Sequence, residues 1–315
     1  MTTHGGDMLV AAPERWDEAC FAVPAVRALM ASGLRVGVLC RAWQREFWET
    51  LPGLEVIECP RKARELASVI AGKWQAALVW EKGVAEEAAR LGEVPRRFGP
   101  ADANLIKQLT HPLAAAEKPL EHRVRFYLSA VEKMGIATTQ AEFFKPADVG
   151  IAPEAGAVLL SPESDYGASH EWLLERWLEI GRRLIDAGHH VTVAGMDERR
   201  RSMAEALASG LGGKVEFFRA VPLAGTLPLL AVHGLVVAAD GSLPHLAAHA
   251  GTTCVTLFGP NDPQWRRPLG RRHAVVARHV ECAPCLLDKC PLDLRCQREL
   301  EVKRVWAAIQ EKQAG

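Results

Sequence analysis

A polar junction between two apolar runs is the segment of the sequence best suited to chemistry. Residues 236–239 (VVAA) and 254–258 (CVTLF) are predicted to form two buried strands. The junction that follows the first of them carries small and polar residues: Asp240, Gly241, Ser242 and His245. An acid, a flexible residue, a hydroxyl and an imidazole in this position predict a ligand site at the point where a strand gives way to a helix.

The chemistry that this junction favours is phosphate binding. Ser242 can cap the following helix, and Pro244 fits its first turn, where no amide donor is needed. The unpaired amides and the helix dipole suit a phosphate, and Gly241 allows the backbone to approach a ligand closely. His245, one turn into the helix, can donate to a phosphate or sugar oxygen. The alternative is that these residues only cap the helix.

A second junction has the same character. Residues 161–172 (SPESDYGASHEW) also join a predicted strand to a predicted helix. They include small and polar residues: Ser161, Ser164, Gly167, Ser169 and His170. Two such junctions suit a diphosphate held between helix N-termini. The fingerprints G-x-x-x-x-G-K-[ST] and G-x-G-x-x-G are absent from the sequence, and so is a D-x-D carboxylate pair for a divalent metal.

The elements that must position these junctions alternate along most of the chain. Apolar runs alternate with amphipathic stretches, which predicts βαβ units and parallel sheets. Helices are expected over residues 24–32 and, at greater length, 116–134. A segment rich in Pro, Ala and Gly (145–156) is the best candidate for a linker between two α/β halves. Ligands of such sheets bind beyond the carboxyl ends of the strands, where both junctions are predicted to lie.

The predicted division of the chain follows from this linker. Residues 1–148 form an N-terminal domain and residues 149–298 a C-terminal domain, with a cleft between them. Residues 299–315 form a last helix that is expected to pack back on the N-terminal domain. The length of 315 residues is ordinary for two domains, and 49% hydrophobic residues are enough for two cores.

Composition also limits the partners and the compartment. The 38 basic and 38 acidic residues balance, which argues against nucleic acid as the main partner. No apolar run reaches the roughly 18 residues of a transmembrane helix, and the first residues do not resemble a signal peptide. We therefore expect a cytoplasmic protein.

The segment from Asp240 to Pro263, DGSLPHLAAHAGTTCVTLFGPNDP, resembles the donor-site motif of glycosyltransferase family 9, which includes the lipopolysaccharide heptosyltransferases. The family pattern is approximately D-S/T-G-x-x-H-L-A-A-A-x-G-x-P-x-x-x-L-F-G-P-T-D-P. Further segments agree in order: PAVRAL, RLGEVPRRFG, EHRVRFYL, LAGTLPLL and CAPCLLDKCPLDLRC. The resemblance covers nearly the whole chain.

This resemblance implies a GT-B fold, in which two Rossmann-like α/β domains face a cleft with their parallel sheets. The N-terminal domain would bind a lipopolysaccharide core or another lipid-linked saccharide acceptor, and the C-terminal domain an ADP-sugar, typically ADP-heptose. The implied reaction is inverting and needs no metal or other cofactor. A general base would take the proton of the acceptor hydroxyl, while dipoles and cations stabilise the ADP leaving group.

The sequence departs from the family at the residues that matter most. The family's base is the Asp of a Gly-Asp pair six residues before a helix proline, a position that Glu18 takes here, with Asp17 before it. Either acid is a candidate base, or both only open a helix. His170 replaces a phosphate-binding Lys, and the usual Ser-Gly order is inverted. The donor-binding residues implied by the resemblance are Ser164, His170, Asp240, Gly241, Ser242 and His245.

Four clustered cysteines form a separate feature. Cys282, Cys285, Cys290 and Cys296 follow a C-x2-C-x4-C-x5-C pattern, which matches no standard zinc module. A structural zinc ion or iron–sulfur cluster, disulfides and free packed thiols all stay open. A metal here would be structural and not catalytic.

A basic stretch next to these cysteines bears on the partners. It contains Arg266, Arg267, Arg271 and Arg272 and suits a phosphorylated lipid acceptor or the cytoplasmic face of the inner membrane, unless it is an ordinary solvated loop. Two other functions stay open beside sugar transfer. One is a catalytically impaired or repurposed family member that binds nucleotide sugars or acts as a scaffold. The other is a metal or redox module built on the cysteine cluster.

Overall fold

The chain folds into two compact units. The computed structural model describes residues 6–114, 121–196, 203–219 and 221–314. The units comprise Met1–Lys145 and Pro146–Gly315, so that the division falls within the predicted linker. Within the described ranges, no helix combines the length and the apolar character needed to cross a membrane.

The first unit is built on a six-stranded parallel sheet in the order β3-β2-β1-β4-β5-β6. Its strands are β1 Asp7–Ala11, β2 Arg35–Cys40, β3 Glu55–Glu58, β4 Ala76–Leu78, β5 Arg96–Pro100 and β6 His111–Leu113. Its helices are α1 Trp16–Ala31, α2 Arg45–Glu49, α3 Ala63–Ile70, α4 Val84–Leu91 and α5 Val124–Lys133. This order is that of a Rossmann-like sheet.

The second unit repeats the same topology in a sheet of order β12-β11-β10-β7-β8-β9. Its strands are β7 Glu154–Ser161, β8 His190–Ala194, β9 Val215–Phe218, β10 His233–Ala239, β11 Thr253–Phe258 and β12 Ala274–Ala277. Its helices are α6 Leu174–Asp186, α7 Met203–Leu211, α8 Leu227–Val232, α9 Ser242–His249, α10 Pro263–Arg266, α11 Arg295–Arg298 and α12 Val302–Ala314. The predicted α/β class with two parallel sheets is confirmed.

Each unit has its own apolar core between sheet and helices. In the first unit, Leu66 and Ile70 of α3 pack with Leu9 of β1. In the second, Trp172 and Trp177 pack with strand residues of the sheet. The central strands are apolar on both faces, as expected of parallel strands that helices cover on both sides.

The first helix begins earlier than predicted. The sequence places Pro24 in the first turn of a helix, because proline is favoured there. In the structure α1 begins at Trp16, and Pro24 lies inside it. Proline inside a helix removes one backbone hydrogen bond, a cost that burial of α1 from Asp17 to Val26 offsets. Asp17 and Glu18 therefore lie in the first turn of a helix.

One further helix differs from its prediction, and three strands were not predicted. The long helix expected at residues 116–134 is described only as Val124–Lys133, and residues 116–120 of that prediction lie outside the described ranges. Strands β5, β6 and β12 were missed because they are short, and β5 and β6 contain proline.

The last helix of the chain, α12, packs within the second unit, and its predicted packing on the N-terminal domain stays a prediction. Helix α12 contacts β10, β11, β12 and α6, all of the second unit. Val305 and Ile309 are buried in that unit's core. The apolar face of α12 covers part of the second sheet, and the burial of this face explains why the helix packs there.

Candidate active site

The two predicted junctions meet at one edge of the second sheet. Strands β7 and β10 pair directly, so the loops that follow them leave the sheet side by side. The order of strands along the chain reverses between these two strands, and such a switch point is the usual ligand site of an open parallel sheet. The sequence-based placement of both junctions is therefore realised in the structure.

Asp240 is the centre of this junction. Its Oδ2 lies 3.0 Å from Nδ1 of His170 and accepts a 2.7 Å hydrogen bond from Nδ2 of Asn261. The backbone oxygen of Asp240 accepts a 2.6 Å hydrogen bond from Oγ of Ser164. Three of the predicted donor-binding residues are thus connected, and Asn261 joins them from the loop after β11.

The carboxyl group of Asp240 is deeply buried, with an exposed fraction of 0%. Burial raises its pKa, whereas the hydrogen bonds and charge of His170, with Asn261 and the charge of Arg266, act in the opposite direction. Its Oδ1 has no hydrogen-bond partner among the described residues. One oxygen of this buried carboxyl group is therefore without a hydrogen-bond donor within the described part of the chain.

Asp165, an acid of the other junction, contacts Gly241 and Ser242. Oδ1 of Asp165 accepts a 2.7 Å hydrogen bond from the backbone nitrogen of Ser242, and Oδ2 accepts a 2.6 Å bond from Oγ of Ser242. A Cβ atom on Gly241 would lie 2.8 Å from Oδ1 of Asp165. A side chain at position 241 would therefore require the Asp165 carboxylate to shift. The φ of Gly241, 179°, is ordinary extended backbone.

His245 lies one turn into α9 and is 2% exposed. Its expected role as a donor to phosphate or sugar stays a prediction. The helix is buried along its whole length, because it packs between β10 and β11 and beside α8. The side of α9 that faces the junction is therefore its N-terminal end.

A cavity of about 1510 Å³ adjoins this junction. It is lined by residues from the loop after β7, from α7 and from the segments at Val221 and Asp288. Of the predicted donor-binding residues, Ser164 borders it. Five of its lining residues are acidic: Glu163, Asp165, Glu171, Glu205 and Asp288. Among the described lining residues, Lys289 is the single basic one, so the cavity is acidic.

The two predicted acids of the first unit are both held by cations. Asp17 is fully buried and accepts hydrogen bonds of 3.2 and 3.1 Å from Arg15. Glu18 accepts 2.8 and 3.1 Å hydrogen bonds from Nε of Arg123. It also accepts a 2.5 Å hydrogen bond from the hydroxyl of Tyr127. Glu18 keeps 11% of its side chain exposed, against 0% for Asp17.

These contacts define the electrostatics at the start of α1. Burial raises the pKa of Tyr127 well above its ordinary value, and the charge of Glu18 adds to this. The phenol therefore stays protonated and donates to Glu18. Arg123 and Tyr127 together fix the orientation of the Glu18 carboxyl group.

A small cavity of about 210 Å³ lies in the first unit and is lined by the loops that follow β1, β2 and β4. Strands β1 and β4 are neighbours at the switch point of the first sheet. Glu81 lines this cavity and makes no hydrogen bond or ion pair with the described residues. Burial raises the pKa of Glu81, and the charges of Glu14 and Glu18 raise it further.

Sequence analysis missed several residues that the structure brings to these places. Arg123 and Tyr127 lie in the EHRVRFYL segment, and Asn261 lies in the GPNDP segment. Both segments were recognised as family motifs, but no role was predicted for these three residues. Asp165 lies in the second junction but was not chosen. Glu81 belongs to no recognised motif. It is identified as a lining residue of the small cavity only from its position after β4 in the structure.

The four clustered cysteines are free thiols at different depths. Cys282 is exposed, Cys285 and Cys290 are half-buried and Cys296 is buried. Burial raises the pKa of Cys296, and the other three thiols add to this, so the four lie near one another. In the part of the chain that the structure describes, no three His, Cys, Asp or Glu side chains are arranged to hold a metal ion. The expectation of a structural zinc or iron–sulfur site is therefore not supported.

A thiol titration tests this description. We expect the denatured protein, purified without reductant, to react with eight equivalents of an aromatic disulfide reagent, and the native protein to react first at Cys282. Cys282→Ser should remove that fast phase, while Cys254→Ser, at a buried thiol, should not. Fewer than eight reactive thiols, or stoichiometric zinc or iron in the same sample, would contradict the free-thiol state.

The predicted basic patch is smaller in the structure than in the sequence. Arg266 is buried, with an exposed fraction of 8%, and its charge lowers the pKa of Asp240. Arg272 donates a 2.7 Å hydrogen bond to the backbone oxygen of Gly251. Arg267, Arg271 and Arg272 stay exposed. Arg266 thus lies near Asp240 and is not part of the exposed patch.

Comparison with known proteins decides the family. The model of glycosyltransferase family 9 (heptosyltransferase) matches residues 111–295, which is more than half of the chain. The chain belongs to glycosyltransferase family 9. The predicted membership is confirmed, and the protein is a glycosyltransferase enzyme.

Individual relatives of this family 9 glycosyltransferase agree. Lipopolysaccharide heptosyltransferase 1 of Pseudomonas aeruginosa is 25% identical over 281 residues, which cover 85% of this chain and 75% of that protein. The structure of an Escherichia coli ADP-heptose lipopolysaccharide heptosyltransferase II has a TM-score of 0.75 at 18% identity, and the match covers 98% and 99% of the two chains. A family 9 glycosyltransferase of Veillonella parvula has a TM-score of 0.82 at 13% identity, covering 98% and 97%. The structural likenesses support the fold of this glycosyltransferase.

Proposed function

We propose that this glycosyltransferase transfers a heptose from ADP-heptose to a lipopolysaccharide core or another lipid-linked saccharide acceptor, with inversion and without a metal. The family and the heptosyltransferases similar to the chain support the sugar and the acceptor class. The observation that carries the proposal is the junction at β7 and β10, where Asp240 contacts both His170 and Asn261.

The donor side of the proposal assigns the sugar nucleotide to this junction. Oδ1 of Asp240 would accept a hydrogen bond from a sugar hydroxyl, since it has no partner among the described residues. Nδ1 of His170 lies 3.0 Å from Oδ2 of Asp240, and with both ring nitrogens protonated Nε2 would donate to the diphosphate. Arg266 supplies a nearby positive charge. Ser164, Gly241, Ser242 and His245 are the other proposed donor-site residues.

The acceptor side assigns the proton transfer to the start of α1. Of the two candidate acids, we favour Glu18, because Asp17 is completely buried against Arg15. Arg123 and Tyr127 hold Glu18 as an oriented carboxylate. Glu18 would take the proton of the acceptor hydroxyl as the oxygen attacks the anomeric carbon and the bond to ADP breaks.

The place of action is part of the same proposal. A lipid-linked acceptor would bring the enzyme to the cytoplasmic face of the inner membrane as a peripheral protein. Arg267 and Arg271 are exposed and suit the phosphates of such an acceptor or of the membrane surface.

The test measures binding and transfer separately. Calorimetry with ADP, ADP-heptose, UDP-glucose and GDP-mannose should show selective binding of the adenine nucleotides. Transfer of heptose to a deacylated lipopolysaccharide core should proceed at the same rate with and without EDTA. Binding without transfer would favour a repurposed, nucleotide-sugar-binding family member. Binding of none of the four ligands would reject the heptosyltransferase assignment.

A further inference from the structure

The side-chain carboxylate of Asp165 binds at the N-terminus of α9. Asp165, from the loop after β7, accepts hydrogen bonds from the backbone nitrogen and the hydroxyl of Ser242 at 2.7 and 2.6 Å. Ser242 is the first residue of α9, a helix of eight residues. A carboxylate at this place makes the contacts that a phosphate oxygen would make with the first amide and hydroxyl of the helix.

The backbone around Ser242 is shaped for this carboxylate. A Cβ atom at position 241 would lie 2.8 Å from Oδ1 of Asp165 and 3.1 Å from Oγ of Ser164. Position 241 must therefore lack a side chain as long as Asp165 is in place. The hydroxyl that binds Asp165 belongs to the next residue, Ser242.

Other acidic groups near Asp165 disfavour the binding of a second anion, such as a diphosphate, at the same place. Asp240, directly before Gly241, is a buried carboxyl group whose Oδ1 has no partner among the described residues. The adjoining cavity adds four further acids besides Asp165, against Lys289 as the one basic residue of its described lining. A diphosphate that entered with Asp165 in place would meet like charges at short range, where repulsion is weakly screened.

We propose that Asp165 is an intramolecular competitor of the donor diphosphate at the N-terminus of α9, and that the donor binds only when this side chain moves away. The inference rests on the proposed donor site. Asp165 is exposed and lies on the loop between β7 and α6, so its side chain has room to rotate. Asp165 thus sets the affinity for the phosphate part of the donor and leaves adenosine binding unchanged.

The test is a comparison of nucleotides with and without phosphates on variants of Asp165. Calorimetry with ADP, AMP and adenosine is carried out on the wild-type protein, Asp165→Ala and Asp165→Asn. Asp165→Ala removes both charge and contact, and we expect ADP to bind at least tenfold more tightly. Asp165→Asn keeps an acceptor for the Ser242 amide without the charge, and we expect a smaller gain. Adenosine affinity should change less than twofold.

A matched control separates the α9 contact from the general charge of the cavity. Asp288→Asn removes the same charge from the lining of the same cavity, but its side chain has no bond to α9. We expect it to change ADP affinity less than threefold. Equal gains in Asp165→Ala and Asp288→Asn would overturn the inference in favour of a general charge effect, and so would unchanged or weaker ADP binding in both Asp165 variants.

The outcome also distinguishes this inference from the proposed function. If the wild-type protein binds ADP-heptose and transfers heptose, but the Asp165 variants gain no affinity, the inference fails alone. If no variant binds any adenine nucleotide, the proposed donor site fails and the inference fails with it. The thermal unfolding midpoint of each variant is measured as a control, so that a loss of nucleotide binding can be distinguished from a loss of folded protein.

Discussion

Glu18→Gln is expected to lower the turnover of heptose transfer by about 10²–10⁴-fold, the usual contribution of a general base. Glutamine has nearly the same shape and keeps an acceptor for Arg123 and Tyr127, but it cannot take a proton. ADP-heptose affinity should be unchanged, because Glu18 belongs to the first unit and the proposed donor site to the second. Single-turnover kinetics with calorimetry on the same sample checks both expectations.

Two control variants make this prediction specific. Asp17→Asn should keep most of the activity, since Asp17 has an exposed fraction of 0% and pairs with Arg15. Glu81→Gln removes the unpaired acid of the neighbouring small cavity and should also stay active. If Glu18→Gln were active and Glu81→Gln inactive, Glu81 would replace Glu18 as the base. Loss of activity in Asp17→Asn alone would assign the role to Asp17.

Asp240→Asn is expected to weaken ADP-heptose binding by about 10–100-fold, while the protein becomes more stable. A hydrogen bond to a charged group contributes about 1.5–3 kcal/mol, and an amide cannot replace both carboxylate oxygens as acceptors. Burial raises the pKa of Asp240, so the fold disfavours the ionised form at neutral pH relative to a neutral side chain.

The stability part of this prediction has a definite sign. The pKa of folded Asp240 lies above its unfolded value, so the carboxylate costs stability above that pKa and the cost disappears as pH falls through it. An uncharged Asn should therefore raise the unfolding midpoint measured by calorimetry at pH 7.5. The shift should shrink towards acidic pH. Asp240→Ala, which leaves His170 and Asn261 without this partner, should lower the midpoint instead.

The sequence was sufficient to predict the two junctions as strand-to-helix connections, because each buried run is followed by small and polar residues. It also predicted that the loops after residues 160 and 239 share one edge. It could not predict which side chains meet there. The contact between His170 and Asp240 spans 70 positions, and that between Arg123 and Glu18 spans 105. Such pairs depend on strand order and side-chain rotamers, which local patterns do not encode.

The errors of prediction have physical causes as well. The start of α1 was placed at Pro24 because proline is common in first turns, but packing of the whole helix outweighs one lost hydrogen bond. Asp165 was passed over since a single acid in a polar loop resembles a solvated turn. Its role depends on a helix that begins 77 positions later.

Each unit is formed by one uninterrupted stretch of the chain, and this affects how the protein folds during synthesis. The core around Leu66 draws on residues 9–94, and the strands and helices of the first unit all precede residue 146. At about 5–20 residues per second, translation of the second unit takes roughly 10–30 s, during which the first can complete its core. The second unit, by contrast, needs α12 at Val302–Ala314 to cover its sheet. The apolar face of its sheet that α12 covers therefore stays uncovered until α12 has been synthesised.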